Sequence, residues 1–124
     1  MALRPAEWQR YKAVDDGAAL LIVANLGALP LRRVDVEDGP ETVTITMYED
    51  LPDGVDAIPA IGIGATLLVP LPTPLAGRPV IDGASGERRR DRIEPWKTGG
   101  VRVPVGEDFT WEQLTGKPWW GQRS

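Results

Sequence analysis

The chain has 124 residues, 42% of them hydrophobic and 26% charged, which fits one β-rich domain spanning 1–124 that folds in water and excludes a disordered acidic tail. Fourteen glycines and twelve prolines favour strands and turns over a helical bundle. With no cysteine and no histidine, disulfides, zinc-thiolate sites, thiol nucleophiles, serine-histidine-aspartate triads and histidine-ligated haem are all excluded, and no cofactor is indicated. The formal charge of −4 argues against a protein whose main task is coating nucleic acid.

In chain order, Pro5 to Val14 predicts a short N-terminal helix, with proline at a first helical position and Trp8, Tyr11 and Lys12 on one face. No apolar signal-peptide core precedes it, so the location is read as cytoplasmic or within a virion. Ala18 to Leu26 is an apolar run that suits a buried strand or a helix extension, and the flanking Gly17 and Gly27 favour the strand. Leu31 to Glu49 predicts a β-hairpin: Val34 and Val36 alternate with polar neighbours, Asp38-Gly39-Pro40 turns the chain, and Val43, Ile45 and Met47 alternate with threonines. Further Asp-Gly turns fall at Asp16-Gly17, Asp53-Gly54 and Asp82-Gly83.

The stretch from Ala57 to Gly77 carries no charge, which by length suggests a membrane span, but Pro59, Pro70, Pro72 and Pro74 argue against a helix there. A buried strand over Ala65 to Val69, followed by an extended proline-rich arm, fits better; the whole apolar segment runs over 57–79. Asp82 to Arg92 reads as a polar loop, Val101 to Val105 as a strand with Pro104 marking an edge, and Thr110 to Thr115 as a helical turn with capping-box spacing and Gly116 as its stop.

The acidic residues Glu49, Asp50, Asp53 and Asp56 have the chemistry for a hard cation but not the spacing of an EF-hand, and they read as solvated turns. Arg88, Arg89 and Arg90, with Trp96 downstream, have the ingredients of phosphate contact. Glu87, Asp91 and Glu94 cancel much of that field, so an acidic protein surface is the better partner. Trp111, Trp119 and Trp120 crowd the C-terminal end. Adjacent tryptophans on an extended 117–124 tail point to opposite sides, so one suits the core edge and the other a partner.

These signals predict a small antiparallel β-sandwich or barrel, with a short N-terminal helix and a C-terminal helical turn. The expected function is non-enzymatic: a structural or assembly subunit docking on protein copies, itself included, as virion head, connector or tail components do. Trp119, Trp120, Arg88, Arg89, Arg90 and Trp96 are the candidate partner-binding residues. The alternatives are a ligand- or carbohydrate-binding β-domain using exposed tryptophan and a small enzyme relying on carboxylates or arginine.

Overall fold

A computed structural model describes residues 2–25, 29–51, 64–91, 100–117 and 119. The strands are β1 (Ala2–Ala6), β2 (Arg10–Val14), β3 (Ala19–Asn25), β4 (Leu31–Asp38), β5 (Val43–Leu51), β6 (Gly64–Pro70), β7 (Val80–Asp82), β8 (Arg88–Asp91) and β9 (Val101–Arg102), followed by one short helix, α1 (Trp111–Thr115). Among the described residues the protein is mainly β, with one sheet curled into a half-barrel. Neighbours run β1-β5-β7-β8-β2-β3-β6-β9, and β4 pairs with β5.

β5 organises one half of the sheet. The β4–β5 hairpin forms as its alternation predicts, and Val34, Val43, Ile45 and Met47 are fully buried. The opposite edge of β5 is shared between β1, antiparallel along residues 47–51, and β7, parallel along 43–45. In the other half, β3 lies between β2 and β6, antiparallel to both. Ala65, Leu67 and Val69 of β6 point inward as the buried strand requires. The sheet is mixed, not purely antiparallel, because β2·β8, β5·β7 and β6·β9 are parallel pairs.

The predicted N-terminal helix does not form. Residues 2–6 and 10–14 are strands, and along β2 Tyr11 is buried while Arg10 and Lys12 are exposed, a period of two. The pairing of Arg10 through Val14 with Val23 through Ala19 satisfies the backbone non-locally and overrides the local helix signals. Pro5 sits on an edge strand, where its missing N–H costs no ladder bond. Trp8, between β1 and β2, is fully buried and donates its indole N–H to the Ile45 carbonyl at 2.9 Å.

The polar loop expected over Asp82 to Arg92 is a hairpin as far as Asp91: β7 turns through Asp82-Gly83 and returns as β8, antiparallel to β7 and parallel to β2. The extended arm after Pro70 is held by Arg78. This residue donates to the carbonyls of Gly39, Pro74 and Leu75 and pairs with Asp38, tying the arm to the β4–β5 turn. The Thr73 hydroxyl donates to Asp38 at 2.6 Å, and this bond together with the Arg78 guanidinium holds the Asp38 carboxyl below its ordinary pKa.

Beyond the short edge strand β9, the chain crosses from β6 to β4. Val103 N–H donates to Leu68, and Gly106 and Phe109 N–H donate to Val34 and Arg32. Thr110 and Gln113 form the capping box of α1, and Gly116 ends the helix at φ 74°, where a side chain would be strained. One core runs through the molecule, joining Trp8 and Ile22 to Ile45, Leu67, Val80 and Trp111. No helix among the described residues is long and apolar enough to cross a membrane.

Candidate docking face

The parallel pairing of β2 with β8 sets Arg10 beside Arg90 and Tyr11 beside Asp91. Register partners share a face and successive residues alternate, so Arg10, Lys12, Arg88 and Arg90 all point outward, opposite to buried Tyr11 and half-buried Arg89. The same reasoning extends across the sheet. Lys12 pairs with Leu21, Leu21 with Leu68, and Leu68 with Arg102, so Arg102 of β9 joins the outer face on its far side.

The outer surface of β8-β2-β3-β6-β9 therefore carries Arg10, Lys12, Arg88, Arg90 and Arg102, all exposed, around the half-buried side chains of Val23 and Leu68. None of the five cations forms an ion pair among the described residues, and none of the described side chains on this face is a carboxylate. Adjacent like charges such as Arg10 and Arg90 repel across neighbouring strands, a local cost that an arriving anion would relieve.

Arg89 plays a different part. It points inward, where its guanidinium donates to fully buried Asp82 at 2.8 Å and reaches Glu87 and Glu7. Asp82 also accepts the Ala84 N–H and the Ser85 hydroxyl, which closes the β7–β8 turn. Arg89 is thus committed to holding the hairpin that presents Arg88 and Arg90. Beside it lies a shallow cleft of about 390 Å³ lined by Tyr11 and residues 88–91. Burial raises the Tyr11 phenol above its ordinary pKa, reinforced by Asp91 and opposed by Arg88.

Of the residues singled out from sequence, Arg88, Arg89 and Arg90 lie on one strand, and Trp119 stands apart from them. Trp119 is 4% exposed and packs edge-to-face on Trp111, ring centroids 5.0 Å apart, so its ring is spent on the chain's own interior. Trp96 and Trp120 lie outside the described residues. Trp8 and Trp111 are also buried, so no described tryptophan offers an exposed platform. Glu49 and Asp50 point to opposite sides of β5, each against its own arginine, Arg4 and Arg32, while Asp53 and Asp56 lie outside the described residues. No group of three or more potential metal ligands is found among the described residues.

Arg10, Lys12 and Arg102 were not singled out from sequence. The signal was the alternation Arg-Tyr-Lys at positions 10–12, which reads as a cationic strand face only once the helix assignment is dropped. Comparison with protein-family models, curated proteins and solved structures finds no match to this chain.

Proposed function

We propose that this chain is a non-enzymatic assembly subunit that docks through the outer face of β8-β2-β3-β6-β9 onto an acidic protein surface. The observation that carries the reading is a face with five exposed cations that form no ion pair among the described residues and no described carboxylate, on a chain whose net charge is −4. That net charge disfavours a nucleic acid wrapping the whole chain, whereas an acidic surface approaching from one side meets only the cationic face. The fold fits the role, since the segment crossing from β6 to β4 favours a barrel, in preference to a sandwich, as the finished form of the half-barrel. A virion head, connector or tail component is one setting for such a subunit.

The test is binding to immobilised poly-glutamate. Wild type should bind at low salt and release as the Debye length falls from about 10 Å at 0.1 M to about 3 Å at 1 M. The double reversal Arg88→Glu/Arg90→Glu should weaken binding about tenfold or more. Equal binding by the two proteins would refute the assignment of the face.

A further inference from the structure

We infer that the acidic surface this face fits is on a second copy of the same chain, an inference that rests on the docking reading above. The flank built by β4, the segment crossing to it and α1 carries the opposite charge. Glu37 of β4, Glu41 of the β4–β5 turn, Glu107 of the crossing segment and Glu112 of α1 are all exposed, and none forms an ion pair among the described residues. The hydrogen bonds from Gly106 to Val34 and from Phe109 to Arg32 hold residues 106–109 against β4, which sets Glu107 beside the strand that carries Glu37 and leads the chain into α1 with Glu112. Arg33, the cation in their midst, is already engaged by Asp35 and Asp108.

One copy does not join its own two surfaces. Between β4 and β2 lie β5, β7 and β8 in one direction, and β3, β6, β9 and the crossing segment in the other. At roughly 4.8 Å per strand, the cations of β8 and β2 stand about 14 to 19 Å from β4 around the sheet, beyond the Debye length at 0.1 M salt. Arg102 of β9 lies nearer, since α1 packs beside β9, yet it forms no ion pair among the described residues. The cations of β8 and β2 and the carboxylates of the β4 flank are thus left for other copies. Contact between a face and a different flank is heterologous, so it propagates from copy to copy, into a ring or a filament. The half-buried Val23 and Leu68 between the cations supply apolar area that a purely charged surface would lack.

Light scattering after size exclusion tests this with three proteins: wild type, Arg88→Glu/Arg90→Glu, and Glu107→Lys/Glu112→Lys. The altered side chains are exposed, and circular dichroism checks that the fold is kept. At about 20 mM salt the wild-type mass should rise with concentration, and at about 0.5 M it should return to the 13.5 kDa of one chain. Each reversed protein alone should associate at least tenfold more weakly, and an equimolar mixture of the two should regain association, because each supplies the surface the other has lost.

A wild type that stays monomeric at every concentration in low salt overturns the inference, as does a reversed protein that associates like wild type. If that monomeric wild type still binds poly-glutamate and Arg88→Glu/Arg90→Glu does not, the second copy is the wrong partner and the docking face stands. If neither protein binds poly-glutamate, the docking reading falls with it.

Discussion

Replacing Trp8 tests the most consequential departure from the sequence reading, because this residue moves from a helix face to the centre of the core. Its ring is fully buried, meets Tyr11 edge-to-face at 6.3 Å, and its N–H bonds the Ile45 carbonyl at 2.9 Å. In Trp8→Phe the hydrogen bond disappears, at about 1 kcal/mol. The Ile45 carbonyl is not orphaned, however, because it also accepts the Gly83 N–H at 2.9 Å, so no desolvation penalty is added. The smaller ring leaves a void worth about 1 to 2 kcal/mol more, for a total of about 2 to 3 kcal/mol; Trp8→Ala should cost about 3 to 5 kcal/mol. Urea unfolding followed by circular dichroism measures both, with the midpoint falling and the slope unchanged. A Phe variant within about 0.5 kcal/mol of wild type would refute the burial of Trp8 against β5.

Truncation after Gly116 removes Trp119, and because that ring packs on buried Trp111 the isolated domain should lose about 3 to 5 kcal/mol in urea titration; an unchanged midpoint would place the tail outside the core. The depressed pKa of Asp38 makes a pH prediction. Its stabilising contribution is present above the unfolded value of 3.8 and is lost as pH falls below that toward the folded value, so Asp38→Asn should flatten the acid limb of a thermal-melting profile and leave a smaller pH dependence below pH 4.

Much of the architecture was legible locally. The hairpin around Asp38-Gly39, the inward set Val34, Val43, Ile45 and Met47, the strand over 65–69 and the capped turn at Thr110 each carry a complete signal within a few residues: a period of two, an Asp-Gly turn, or a cap with its stop. Val36, which the same alternation places in the buried set, is only half-buried. Arg88, Arg89 and Arg90 were visible as a charge run, but their roles were not. Arg89 turns inward to Asp82 and the outer two turn outward, a division made by strand alternation that a loop would not impose. Trp119 and Trp120 were equivalent in sequence, and it is the structure that buries Trp119 against Trp111.

Composition and short-range pattern determined that the protein is mainly β, where its hairpin turns, and which chemistries a chain without cysteine or histidine does not perform. Only the tertiary structure decided that residues 10–14 and 88–91 are strands, because their backbone partners lie on other strands and no local propensity reports such pairing. The cationic face follows from the same cause. Arg10, Lys12, Arg88, Arg90 and Arg102 come from three separate stretches of chain, and the ladder registers, which a linear pattern does not contain, place them on one surface.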